Sequence, residues 1–322
     1  MILYEDKEIL VCRKPAGIAV QSARLGEKDL VSILNNHLAE QANMRETSGN
    51  GAKKKKASGG AGFEPIRVVH RLDQPVEGVL VFAKTKKAAA GLSKQVTDGT
   101  MKKTYHAVCC VTGEGQKWLE DAAETVETAG SDAQARQRDK AEAEINESDS
   151  MEKEREEGRW HTLTDYLVKD AGTNTSSVTE KGRKEAKEAR LSFRIAARLS
   201  DLVLAEIELD TGRHHQIRVQ MAHAGLPLYG DVKYNAAWRQ YVTDGAAHRI
   251  ADKEAVEETG KTESDGCSKV ERKILESGSS GRPGKMEPAL CASRLEFVHP
   301  TTGKKMAFET KPEREIFRVF DR

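Results

Sequence analysis

The chain has 322 residues, 38% hydrophobic and 32% charged, with a formal net charge of +1. A globular domain is roughly 45–50% apolar and about 25% charged. Part of this chain is therefore expected to stay outside any packed core, and a nucleic-acid surface would need local segregation of charge. No stretch approaches the roughly 20 apolar residues of a membrane helix, and the opening MILYEDKEIL lacks the basic start and apolar run of a signal peptide. Five cysteines with no C-x-x-C pair argue against a disulfide framework or a structural zinc site and fit a reducing cytoplasm.

In chain order, Ile2–Glu5 and Ile9–Lys14 read as short strands around the turn Asp6-Lys7-Glu8. Leu30, Ile33, Leu34 and Leu38 recur at helical spacing. The run Gly78-Val79-Leu80-Val81-Phe82-Ala83 suits a strand buried on both faces. A helix follows, with Thr85 as its N-cap and Gly99 near its end, and then a strand over Thr104–Val111. Leu191, Phe193, Ile195 and Ala197 alternate with more polar neighbours, as do Val203, Ala205, Ile207 and Leu209, giving two half-buried strands. The turn Asp210-Thr211-Gly212 leads into a helix from Arg213 or His214 to about Ala224. Leu295–Val298 and Lys305–Thr310 form a hairpin across Pro300-Thr301-Thr302-Gly303.

Three segments break this pattern. Residues 43–62 hold Lys53-Lys54-Lys55-Lys56 and a Gly/Ser/Ala stretch, 113–158 are dense in charge and alanine, and 243–287 are charged and rich in glycine and serine. Such composition does not offset the entropy of ordering a chain. All three read as disordered or loosely helical insertions in one domain of α+β class, with a mixed, mainly antiparallel sheet and flanking helices.

Three clusters carry potential chemistry. The first is Val68-Val69-His70-Arg71-Leu72-Asp73, a polar loop next to the apolar strand, where catalytic groups are often placed. The residues alone leave Asp73 two roles, a structural partner of a nearby arginine or a carboxylate acting as nucleophile or base. The second is Asp210-Thr211-Gly212-Arg213-His214-His215-Gln216-Ile217-Arg218. Arg213, His215 and Arg218 offer donors for phosphate or carboxylate, although Arg218 also reads as a surface helix charge. Adjacent histidines point about 100° apart on a helix, and H-E-x-x-H is absent, which argues against a metal. The third is Lys102-Lys103-Thr104-Tyr105-His106-Ala107, where Tyr105 is either a core residue or a stacking platform for a base. P-loop, kinase, G-x-S-x-G and G-x-G-x-x-G signatures are absent.

Read in order, these clusters resemble the RluA-type RNA pseudouridine synthases. That family's His-Arg-Leu-Asp segment, with its apolar strand ending Phe-Ala-Lys, is matched by His70–Asp73 and Gly78–Lys84. Its Lys-x-Tyr-x-Ala is matched by Lys103–Ala107, and its Thr-Gly-Arg-x-His-Gln-[IL]-Arg-Val by Thr211–Val219. Gly225–Tyr234 resembles its Gly-x-Pro-[IL]-x-Gly-Asp-x-x-Tyr. Lys14-Pro15-Ala16-Gly17 resembles its Lys-Pro-x-Gly start, so no further RNA-binding module is expected ahead of it. Leu290-Cys291-Ala292 and Phe297–Pro300 echo its closing segment. Val76 and Glu77 depart from the usual Thr-Ser. Glu77 is expected to face solvent at the start of the strand.

The resemblance implies conversion of uridine to pseudouridine in transfer or ribosomal RNA, with no cofactor and no metal; no membrane partner is expected, and a monomer is the expected state, although the sequence leaves the oligomeric state open. It implies Asp73 as the catalytic carboxylate, and Tyr105 as the group that stacks on uracil and helps remove the C5 proton. Arg213 is the cation expected to hold Asp73 ionised. His70, Arg71, His215, Gln216 and Arg218 are expected to bind substrate, with Arg71 contacting phosphate or filling the space of a flipped base. Lys53–Lys56 reads equally as a phosphate-attracting run or a solvated loop. The competing reading is an RNA-binding or chaperone protein of the same fold with weak or lost catalysis.

Overall fold

The computed structural model describes residues 2–22, 26–48, 64–119, 159–240 and 287–321. Two units divide the chain, Met1–Tyr105 with Cys291–Pro312, and His106–Leu290 with Glu313–Arg322.

The first unit grows from a hairpin of β1 (Ile2–Glu5) and β2 (Ile9–Lys14). Its turn is set by Asp6, whose Oδ1 accepts from the amides of Glu8 and Ile9, both at 2.8 Å. The expected apolar run forms β4 (Glu77–Ala83), buried at every position. It lies antiparallel to β2, from Ile9 opposite Ala83 to Lys14 opposite Gly78. Short β3 (Arg67–Val68) covers its far end. Near its start, β10 (Leu290–Val298) pairs parallel through Cys291 and Ala292. Antiparallel β11 (Lys305–Glu309) completes the C-terminal hairpin. The ring of His299 spans two turns. Its Nδ1 accepts from the amides of Thr301 and Thr302, and its Nε2 bonds the Asp6 carboxylate at 2.8 Å.

Thr85 caps α2 (Lys86–Thr97) as expected, its hydroxyl accepting from the Ala88 amide at 3.1 Å. The helix presses Ala88 and Leu92 onto Val79, Val81, Leu295 and Phe297, which form the core of this unit. The first helix, α1 (Leu30–Ser48), begins at an Asp29 cap that accepts from the Ser32 amide. It runs ten residues past the expected Leu38, so 43–48 of the first expected insertion are helical. Its remainder, with Lys53–Lys56, lies outside the described residues.

The second unit contains the last part of β5 (Lys102–Cys110). Its main sheet is antiparallel, with β9 (Leu202–Leu209), β8 (Lys187–Leu199), β6 (His161–Asp170) and β7 (Thr175–Thr179) in that order. Strands β6 and β7 were not anticipated. Their threonines, serines and lysines mask the alternation, and only Leu167 and Ser176 are fully buried. The helix α3 (Gln216–His223) covers one face, with Val219 against Leu167 and Ala189. It starts later than expected because His215 takes a left-handed conformation at φ 54°. The expected insertion at 113–158 begins with packed chain. Trp118 meets Phe193 edge-on at 5.4 Å and donates to the Ala224 carbonyl. Residues 120–158 and 241–286, most of the second and third expected insertions, lie outside the described residues. A short helix, α4 (Glu315–Arg318), closes the chain. Among the described residues, no helix is long and apolar enough to cross a membrane.

Gly78 shows how tightly β4 and β10 meet. It has φ +133°, and a Cβ there would lie 2.3 Å from the Ala292 carbonyl oxygen. Neither the backbone angle nor the space admits a side chain. Gly78→Ala is therefore expected to lose more than about 2 kcal/mol of stability, read as a lower urea midpoint. Gly99→Ala, where nothing lies within 4 Å, should lose less.

Candidate active site

The Asp73 loop is anchored from below. Lys14 ends the apolar strand β2, and its side chain is fully buried. Its ammonium donates to the carbonyls of Pro15 (3.0 Å), Ile18 (2.7 Å) and Gln74 (2.9 Å). Three donors thus meet three acceptors, which is what a buried ammonium requires. The amide of Gly17 donates to the same Gln74 carbonyl, and the Gln74 side-chain amide donates back to Gly17. The residue after Asp73 is therefore fixed on both sides. Asp73 itself closes a turn, its carbonyl accepting from Val76 at 3.0 Å, and it is half-buried.

His70 anchors the other end of the loop. The Val81 amide donates to its Nε2 at 3.3 Å, at a position of β4 that lies beyond the short β3. Burial, and secondarily the charge of Lys103, push its pKa down to about 3. The ring is a neutral acceptor inside the scaffold, whereas the sequence suggested a substrate contact. Arg71, next along, is exposed.

Tyr105 is buried on β5. Burial first, then the negative charge of Asp73 and the neighbouring Cys291, raise its pKa. The phenol is thus neutral at physiological pH and lies within the field of the Asp73 carboxylate. Lys103 is two residues earlier on the strand, half-buried, and its charge reaches His70.

Glu77 does not face solvent. It is 2% exposed, and its carboxylate accepts from Arg13 on β2 at 2.7 Å. The neighbouring strand supplies a counter-charge that cannot be read from the local sequence.

The second cluster lies in the second unit. Most of its polar groups turn inward. The Gln216 Oε1 accepts from the Thr211 hydroxyl (2.8 Å) and the Arg213 amide (2.9 Å), and its Nε2 donates to the Arg190 carbonyl. Gln216 thus splints the turn that presents Arg213. Arg218 is 4% exposed and forms a two-pronged pair with the fully buried Asp231, at 2.7 and 2.8 Å. Its guanidinium also lies over the Tyr234 ring. It is neither a surface charge nor placed as a ligand donor. The Ser176 amide donates to the Tyr234 hydroxyl, which is also hydrogen-bonded to Nδ1 of His215 at 2.7 Å. His215 is buried and stacked on His214, and burial together with nearby Arg218 pushes its pKa down to about 2. Arg213 alone of the expected binders here is exposed, its Nε donating to the Glu188 carbonyl at 2.7 Å. Sequence reasoning missed the structural roles of Lys14, Asp231 and Tyr234. Their signal was a lysine ending an apolar strand and an aspartate and tyrosine in a glycine-bounded loop.

An α+β protein with a carboxylate loop splinted to its central strand, facing a buried tyrosine, is the class these features define. Residues 8–223 match the family model of RNA pseudouridylate synthase, and the chain belongs to that family, in its RluA-type branch. It is 25% identical to a ribosomal large subunit pseudouridine synthase D of Zymomonas mobilis over 99% of this chain and 71% of that protein. It is 31% identical to the uncharacterized RNA pseudouridine synthase YhcT of Bacillus subtilis over 72% of this chain, spanning 57% of that relative. The structure of human RNA pseudouridylate synthase domain containing 4 shares the fold, with a TM-score of 0.56 and 17% identity over 99% of this chain and 91% of the other.

Two predictions follow from the buried groups. Arg218→Ala leaves the Asp231 carboxylate buried without its guanidinium and is expected to cost about 3–5 kcal/mol, measured by urea unfolding. His215 is neutral in the fold but takes up a proton near pH 6.5 when unfolded, so the unfolded state binds more protons below that pH. Stability should fall on acidification, with His215 contributing a loss of about 2 kcal/mol between pH 7 and 5. His215→Asn should reduce that drop, and an equal drop in both proteins would refute the assignment.

Proposed function

We propose that this chain isomerises uridines to pseudouridine in structured RNA, ribosomal or transfer, with Asp73 as the catalytic residue. The observation that carries this reading is the pairing of a splinted, half-buried carboxylate with a neutral, buried phenol that lies in its field. In the reaction the N1–C1′ bond breaks, the base turns, and C5 bonds to C1′. The C5 proton leaves and N1 gains one, so nothing is oxidised or hydrolysed.

Asp73 assists the cleavage as nucleophile at C1′ or as base toward the sugar. Tyr105 enters as a phenol, offers its ring to the uracil, and can accept the C5 proton only while passing its own onward. Arg213 supplies the cation that answers the carboxylate, and exposed Arg71 meets the RNA backbone or fills the gap left by the flipped base. His70, His215, Gln216 and Arg218 act through the scaffold. The departure at Glu77 was the support for an RNA-binding protein without catalysis, and that charge is answered by Arg13.

The test is a transcriptome-wide pseudouridine map in cells carrying wild-type protein or Asp73→Ala. Loss of particular pseudouridines is expected. Identical maps, with the protein expressed and redundant enzymes removed, would leave RNA binding without catalysis as the better reading. Arg213→Ala is expected to lower turnover on the mapped RNA at least tenfold, and unchanged turnover would remove Arg213 from the site.

A further inference from the structure

Lys103 has no role in the chemistry described above. It is on β5 two residues before Tyr105, and alternation along a strand puts both side chains on one face, about 7 Å apart. The two are tied to one loop by their charges, since Asp73 acts on Tyr105 and Lys103 acts on His70. Lys103 therefore flanks the base site along the strand, on the His70 side. Its own pKa is lowered, and burial is the only contributor, with no carboxylate among the described residues answering it. The other half-buried or buried cations of this unit are placed differently. Lys14 is held by three carbonyls, Arg13 by Glu77, Lys84 by Glu5 at 2.8 Å, and Arg67 by Glu64 at 3.0 Å. A partly desolvated ammonium costs stability unless a counter-charge arrives.

We propose that Lys103 is a substrate-contacting residue whose ammonium binds an RNA backbone phosphate flanking the target uridine, on the Tyr105 face of β5. The inference rests on the RNA-modifying reading above. A phosphate is the anion that every nucleotide carries, and one lies next to the sugar of any base presented to Tyr105. The free protein holds the cation partly shielded from water, where a single charge pair is stronger than at the surface. Because it recognises the backbone, Lys103 contributes affinity and register and leaves base choice to other groups.

The test uses full-length protein and 5-tritiated bulk RNA from cells lacking it. Filter binding gives the Kd and its salt dependence, and tritium release at saturating protein gives the rate of the chemical step. For Lys103→Gln, binding is expected to weaken about tenfold. The slope of log Kd against log salt should shrink by about one. The saturated rate should stay within about threefold, and Lys103→Arg should restore both affinity and slope. Thermal stability of Lys103→Gln should be equal or higher, since a shielded charge is removed, so a folding defect is distinguishable. Unchanged Kd and slope would overturn the proposal, as would a fall in saturated rate with affinity intact. If wild-type protein releases no tritium, the synthase reading fails, and the binding arms still decide whether Lys103 meets phosphate.

Discussion

A single buried ammonium holds the site together. Lys14 donates to main-chain oxygens from two segments of the chain. It is bound by three backbone carbonyls, one of them from the residue that follows Asp73. An ammonium removed from water is strongly unfavourable unless each proton finds an acceptor, so the three carbonyls must converge for the unit to fold. Convergence fixes the path of residues 14–18 and the position of Gln74 together. His70 pins the opposite end of the same loop through the Val81 amide. Asp73 thus lies between two attachments to the strands β2 and β4.

The second unit uses the same strategy on a different scale. A motif that reads as a row of donors proves to be mostly internal bracing. Gln216 closes the Thr211–Arg213 turn, Arg218 neutralises Asp231, and the hydrogen bonds linking Ser176, Tyr234 and His215 hold the His215 ring in place. A buried, two-pronged arginine–carboxylate pair is costly to break. The effect is to present Arg213 from a rigid turn.

What was legible in the sequence follows from locality. The strand Glu77–Ala83 is buried on both faces, so its apolar run is unambiguous, and Thr85 caps α2 by bonding only three residues ahead. Asp73, Tyr105 and Arg213 stand out in the sequence because their motifs occur in family order. The direction in which a polar side chain turns was not legible. Glu77 reads as solvent-facing until Arg13, from another strand, is placed beside it, and Arg218 reads as a donor until Asp231 is reached through an irregular loop. The strands β6 and β7 stay hidden for a related reason. Their exposed faces leave little apolar pattern, and pairing with β8 specifies them.

The parallel contact of β4 with β10 has a consequence for how the chain matures. Glu77 and Gly78 meet Cys291 and Ala292, so the strand that follows the Asp73 loop is completed by a segment far downstream in the chain. Pairings this distant form slowly and late, because the loop they close must be ordered first. Until then the first two residues of β4 lack a neighbour on the flank that β3 covers further along, a short open edge of the kind that recruits other chains. Termination before Leu290 would therefore leave that short edge of β4 open as well as remove the β10–β11 hairpin.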